Sequence, residues 1–246
     1  MDKNKTFAQI EQEYDQMAQT IKDMQRTAVR PVMTGCVRRF SVPCGVFGTP
    51  IVKHLNDWSW QDISEIAASG LAPAFFQVGD IKTVTLKDGS TIELRIIGFN
   101  HDQDPDGRIL PISFETVQTL NKDFSMNEDW TNVGGWAESK LRRVLNSEVL
   151  NLLPDDLLAV IKPCVKVTSK GGKDQDGTMT QTTDKLFILS EQEIFGRKIY
   201  SIGGEGQWYD WYRRENTPYG KKKQSGEGDW RWERSPLGSS TTTFCF

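Results

Sequence analysis

Residues 203–236 read GGEGQWYDWYRRENTPYGKKKQSGEGDWRWERSP. Half of the chain's eight tryptophans fall here (Trp208, Trp211, Trp230 and Trp232), with Tyr209, Tyr212 and Tyr219 among them. Glycines and charges interrupt the rings, so the stretch is neither a simple core strand nor an amphipathic helix. Each ring can bury roughly 150–250 Å². A set this dense must therefore pack a loop-rich fold or line a recognition surface. Alternation within WYDWY and WRW sends some rings inward and others outward, and outward rings suit stacking on sugar faces or a protein partner. Trp230 or Trp232 is expected in the framework, with Arg234 tied to backbone or a carboxylate. Trp208, Tyr209, Trp211, Tyr212 and Tyr219, next to Lys221, Lys222 and Lys223, are the candidate ligand-binding residues.

The whole chain has 246 residues, enough for one large domain or a domain with an appendage. At 37% hydrophobic and 26% charged it has a globular composition. No run of about 18 apolar residues is present, so no membrane-spanning helix is expected. The N-terminus, MDKNKTFAQIEQEYDQ, lacks a signal-peptide apolar core. Synthesis in the cytoplasm, with a virion or extracellular destination after assembly, is the expectation. A net charge of −3 gives no general pull toward nucleic acid. Nine basic against six acidic residues between Arg197 and Arg234 make only a modest local patch. Neither the cysteines (Cys36, Cys44, Cys164, Cys245) nor the histidines (His54, His101) are spaced for a structural zinc site. A Cys36–Cys44 bridge is conceivable, but a reducing compartment favours free buried thiols.

Upstream lies a regular seam. Phe7, Ile10, Tyr14, Met17, Ile21, Met24 and Ala28 are spaced 3, 4, 3, 4, 3, 4, an a/d heptad that Pro31 ends. Residues 1–30 are thus expected as a helix that packs on its own domain, oligomerises, or anchors the chain to a larger assembly. Residues 31–74 read as connecting strands and turns plus one short helix, capped by Ser59 with Asp62 and stopped at Gly70. Residues 75–246 form the main domain. There VGDIKTVTL and STIELRIIGF alternate around Lys87-Asp88-Gly89, a type I′ hairpin signal. That pairing sets Ile81, Val84 and Leu86 near Ile92, Leu94 and Ile96. GGWAESKLRRVLNSEVLNLL is helical up to Pro154, and PDDLLAVIK is a second helix with two acids at its positive end. CVKVTS and KLFILS read as strands separated by a polar loop. Ser190 and Glu193 cap a turn ending at Gly196.

SWQDISEIAASGLA, VGDIKTVTL, IIGFNHD, GGWAESKLRRVLN, LLPDDLLAVIKP, DKLFILSEQEIFG and WRWERSP occur in this order over residues 60–236. In this the chain resembles the bacterial and phage family called domain of unknown function 6273. The closing Trp-x-Arg-Ser-Pro pattern is also similar to C-type-lectin-like folds, including phage variable proteins and the formylglycine-generating-enzyme superfamily. The resemblance implies an α+β, C-type-lectin-like domain in which a small core carries long, aromatic-rich loops. Family members usually continue past Arg-Ser-Pro for another strand pair. This chain stops at Phe246, so those terminal strands are expected to be absent or shortened.

Asp102, Asp104 and Asp106 stand at positions 1, 3 and 5 of a calcium loop, with Gly107 at position 6. They are the candidate metal ligands, and calcium is the one cofactor they would imply. Position 12 is Ser113 rather than the bidentate Glu, which favours a solvated acidic turn. Asp174-Gln-Asp176-Gly177 reads as a polar turn. Neighbours in a strand point opposite ways, so His101 beside Asp102 argues little for an acid–base pair. Gly203-Gly204-Glu205-Gly206 lacks the flanks of a phosphate loop. No nucleophile motif accompanies any of these, and no catalytic residue is assigned. The expected function is a non-enzymatic phage or prophage structural or recognition protein, homo-oligomeric or part of a virion, binding a glycan or protein receptor. The alternatives are an enzyme of the formylglycine-generating type and a calcium-dependent carbohydrate-binding module.

Overall fold

Ser59 opens the first helix, α1 (Trp60–Ala68), by a reciprocal cap: its hydroxyl accepts from the Asp62 N–H, and the Asp62 carboxylate accepts from the Ser59 N–H. The other end closes as a Schellman turn. Gly70, at φ 76°, donates to the Ala67 carbonyl and Leu71 to that of Ile66. Between the caps Trp60, Ile63 and Ile66 share one face and are buried. The computed structural model describes residues 53–172, 178–214 and 220–246. The heptad segment, the Cys36–Cys44 pair, Asp174, Asp176 and Tyr219 lie outside the described residues.

After the short helix α2 (Ala72–Phe75), three strands form an antiparallel sheet in the order β1 (Ile81–Thr85), β2 (Thr91–Gln103), β3 (Ile109–Thr116). The β1–β2 connection differs from the expected type I′ turn. Of its residues only Gly89 has positive φ (85°), whereas type I′ needs two such positions. Ile81 also departs from expectation: it faces solvent, and Lys82 takes the inward place beside Val84 and Leu86. Its ammonium is satisfied there by the carbonyls of Asn56 (3.2 Å) and Trp58 (2.5 Å).

Helix α3 (Gly135–Glu138) is followed by α4 (Lys140–Val144), which continues as a π-helical turn (Leu145–Val149) and a last turn (Leu150–Leu152). Pro154 then separates it from α5 (Asp155–Val160). Strand β4 (Cys164–Ser169) pairs with β5 (Met179–Asp184), and α6 (Glu191–Phe195) carries the expected Ser190–Glu193 capping box and left-handed Gly196. A two-residue ladder joins β6 (Lys221–Lys222) to β7 (Gly228–Asp229).

One strand is a correction. The apolar run KLFILS, expected as a strand, is not one; the threonine-rich MTQTTD, within the expected polar loop, is, and it pairs with β4. Side chains satisfy the KLFILS backbone instead. Asn146, in the π turn, accepts from the Lys185 and Leu186 N–H groups and donates to the Leu186 carbonyl. Arg234 donates from its backbone to Leu189 and from its guanidinium to Ile188. The segment past Arg234 folds back on itself, with a single bridge between Pro236 and Phe244. Leu237 donates to the Thr243 carbonyl, Cys245 to that of Ser235, and Glu233 to that of Cys245.

Three apolar clusters form the core. The first gathers Leu55, Trp60, Ile63, Ala72 and Phe76 with Val84, Ile96 and Leu157. Residues 53–74, expected as a connection ahead of a domain starting at 75, thus share the core of the first sheet. Val52–Phe246 is one compact unit. The second cluster centres on Ile97, Ile194, Tyr209 and Tyr212, the third on Trp136, Leu141, Leu145 and Phe244. The architecture is α+β with small antiparallel sheets.

Candidate functional site

The near end of the aromatic tract is built into the interior. Tyr209 and Tyr212 are buried, and Trp208 and Trp211 half-buried. Trp208 lies against Gly196, where an added Cβ would meet its ring at 2.6 Å, and its indole N–H donates to the Ile194 carbonyl. Trp211 donates from its backbone to Ile97, and the Arg95 guanidinium stacks 4.0 Å from its ring. Four of the five candidate ligand-binding residues therefore serve packing, and the fifth, Tyr219, is outside the described residues.

Tyr209 reaches a buried chain of charges. Lys166, on β4, places its ammonium 2.6 Å from Asp102, 3.0 Å from Glu193 and 2.8 Å from the Tyr209 hydroxyl. Asp102 also accepts from Ser113 (2.5 Å) and Tyr209 (2.8 Å). Glu193 in turn receives the Arg234 guanidinium, which further donates to Thr168 and to the carbonyls of Ile188, Val167 and Glu205. Burial would raise Asp102 and Glu193, yet Lys166 holds the first, and Arg234 with Lys166 the second, below the usual carboxylate range. Burial likewise opposes the Lys166 charge, but Glu193 and Asp102 outweigh it and keep the ammonium.

Asp102 is inside because β2 is bulged. The register against β3 shifts between Ile96 and Gly98 and again between Phe99 and Asp102, with Asn100 in the left-handed region at φ 52°. Such bulges re-aim side chains. They also bring His101, stacked 3.7 Å over Tyr209, to the Asp102 side, against the strict alternation expected of the pair. Burial lowers the His101 pKa against the pull of Asp102. The three candidate calcium ligands are accordingly divided. Asp102 is held by Lys166, while Asp104 and Asp106 both receive the Arg108 guanidinium at the surface. Backbone N–H groups of Asp106 and Arg108 close the turn on Asp104.

A second hub is Glu115, on β3. It accepts from Arg95 (3.0 Å), Lys221 (2.7 Å), Arg231 (3.2 Å) and the Tyr212 hydroxyl (2.6 Å). Burial works against its charge, but Lys221 and Arg231 prevail and hold it low. Burial brings Lys221 itself down to about 8 despite Glu115.

The described residues also form a cleft of about 1050 Å³ along β3. Its walls are apolar, from Trp60 and Ile63 of α1, Leu94 of β2 and Phe114 of β3 to Leu141 and Leu145 of α4. Three of its lining rings are left in solvent: Trp130 is 84% exposed, Trp230 78% and Phe246 65%. Trp230 and Trp232 both meet Phe246 edge-on, at 5.5 and 6.1 Å. Trp232 is anchored by donating to the Phe124 carbonyl (2.9 Å) and Arg234 by its buried partners, as expected of the framework. Trp230, beside Trp232 in WRW, is the outward ring. Sequence reasoning missed Trp130 and Phe246 as surface rings. The available signal at Trp130 was a single indole in the polar run NEDWTN.

Residues 114–246, more than half of the chain, match the model of the family described as Domain of unknown function (DUF6273). The chain belongs to this family. The family match begins within β3 and includes the whole aromatic tract, Lys166, Glu193, Arg234 and the exposed rings. The pieces SWQDISEIAASGLA, VGDIKTVTL and IIGFNHD precede it. No curated protein matches the chain, and no solved structure does.

Proposed function

We propose that this is a non-enzymatic recognition protein of a phage or prophage particle, with a C-type-lectin-like domain that binds a glycan at the cleft rimmed by Trp130, Trp230 and Phe246. One observation carries the reading: two indoles that line the apolar cleft are left 84% and 78% exposed. A single wet ring is ordinary, but several lining one cleft mark a contact site. Their faces suit the C–H faces of a sugar, and Asp123, Lys223 and Asp229 along the same cleft offer hydrogen bonds. The family resemblance supports the phage setting and the lectin-like framework. The Phe7–Ala28 heptad would make the particle-bound protein oligomeric and so multivalent. A non-enzymatic role is supported by the buried charged groups, since Asp102, Lys166, Glu193 and Tyr209 are spent on one another. Burial pushes the Cys164 thiol up to about 12, far from the thiolate that chemistry of the formylglycine-generating type needs.

A glycan-array screen of the full chain beside Trp130→Ala and Trp230→Ala tests this. Wild-type signals are expected to disappear in both variants while the melting temperature holds, because exposed positions contribute within about 0.5 kcal/mol of stability. Absence of any glycan signal, or signals equally strong in both variants, would refute glycan binding at these rings.

A further inference from the structure

Among the described residues, two groups bring three or more metal-ligating side chains within 4.8 Å of one another. The first, His101 with Asp102 and Glu193, already holds a cation: the Lys166 ammonium bonds both carboxylates. The second is Glu191, Glu233 and Cys245, and it holds none. Glu191 is the first residue of α6, while Glu233 and Cys245 face each other across the pairing of the terminal segment, where the Glu233 N–H donates to the Cys245 carbonyl (2.9 Å). All three are buried, at 1%, 4% and 4% exposure.

The carboxylates are treated very differently. Glu191 is oriented by four donors: Oε2 accepts from the Ile199 and Ser201 N–H groups and the Ser201 hydroxyl, and Oε1 from Tyr200 alone. One oxygen is saturated and the other retains a free lone pair. Glu233, 4% exposed, accepts no hydrogen bond among the described residues, and Arg231 acts on it through its charge without a direct bond. A buried, unpartnered carboxyl group is costly unless something positive meets it. The Cys245 thiol, with no disulfide partner, points into the same space.

We propose that Glu191, Glu233 and Cys245 form a binding site for one divalent transition-metal ion of borderline softness, such as zinc, cobalt(II) or iron(II). The donor chemistry sets the class. Calcium and magnesium take oxygen shells and do not draw on a thiolate, whereas two carboxylate oxygens and one sulfur suit a tetrahedral ion with water in the fourth place. Binding releases the proton of the Cys245 thiol, and that of Glu233 where it is protonated, so affinity rises with pH. Phe246, next in the chain to Cys245, is 65% exposed. The pairing of the terminal segment would then be clamped to α6 through the ion.

The test uses the full chain, reduced and stripped with chelator, titrated with cobalt(II). One equivalent should produce a near-ultraviolet thiolate-to-cobalt charge-transfer band and raise the melting temperature. Cys245→Ser should abolish the band, and Glu233→Gln should weaken cobalt binding at least tenfold while melting normally in chelator. X-ray absorption of the zinc-loaded wild type, which needs no variant, should give a single sulfur at about 2.3 Å with the remainder oxygen. No band, a band unchanged in Cys245→Ser, or a zinc shell with no sulfur or with several would each overturn the site.

Discussion

Replacing Lys166 by methionine removes the one ammonium between Asp102 and Glu193 without opening much space. The buried series Asp102, Lys166, Glu193, Arg234 alternates −, +, −, + and is neutral; the variant leaves −, −, +. Glu193 keeps Arg234, but Asp102 keeps only the hydroxyls of Ser113 and Tyr209. Breaking a buried pair in this way costs about 3–5 kcal/mol. The loss has a ceiling, because Asp102 can shed its charge by taking a proton. From an unfolded carboxyl near pKa 3.9, that proton costs about 4 kcal/mol at pH 7, at 1.36 kcal/mol per pH unit. The sign follows. In the wild type Asp102 is depressed, so its contribution is full above the ordinary carboxyl range and is lost as the pH falls through its lower folded value. In the variant Asp102 is raised, the folded state holds the extra proton, and stability falls as the pH rises. The gap between the two proteins should be about 4 kcal/mol at pH 7 and shrink to about 1.5 kcal/mol at pH 5. Urea unfolding followed by circular dichroism at pH 5, 6 and 7 measures it. Adding Asp102→Asn should flatten the pH dependence. A gap below about 1 kcal/mol at pH 7, or one equal at both ends of the range, would refute this account of the buried charges.

Gly135→Ala should largely prevent folding. At φ 57° an added Cβ would stand 2.0 Å from the Ser169 carbonyl oxygen, which ties α3 to β4, so a loss above about 3 kcal/mol is expected by thermal melting. Calcium at millimolar levels should leave the melting temperature and the calorimetric baseline unchanged, since Lys166 and Arg108 already occupy the oxygens of Asp102, Asp104 and Asp106; a calorimetric signal lost in Asp104→Ala would contradict this. Deleting residues 1–30 should convert an oligomer to a monomer in solution mass measurements, and a monomer in both forms would reject the heptad reading.

What could be read directly was chemistry closed within one turn of chain. The Ser59 and Ser190 caps and the Gly196 stop depend on residues three to six apart, so their signals sit side by side. The misread segments depend on distant partners. The run at 185–190 has the apolar content of a strand, but Asn146 and Arg234 meet its backbone from about 40 residues away on either side. Alternation failed for the His101–Asp102 pair because the register slips on either side of Phe99 and the chain turns through left-handed Asn100, and such an irregularity leaves no composition signal when its left-handed residue is not glycine. Within the candidate site, ring-rich sequence located the aromatic hub yet inverted its faces. Tyr209 and Tyr212 have hydroxyls that buried charges can use, whereas Trp230 follows a charged turn and its indole finds no such partner in the core.

The clamp on residues 185–190 also bears on how the chain can be made. A ribosome delivers Ile188, Leu189 and Glu193 well before Arg234 emerges, and Arg234 is the residue that answers two of their carbonyls and one carboxylate. Until then the second cluster has its rings but an unbalanced charge beside them. Closure of this interior therefore waits until Arg234 has emerged, and a stalled or proteolysed chain lacking Arg234 would expose the same unpaired groups to quality control.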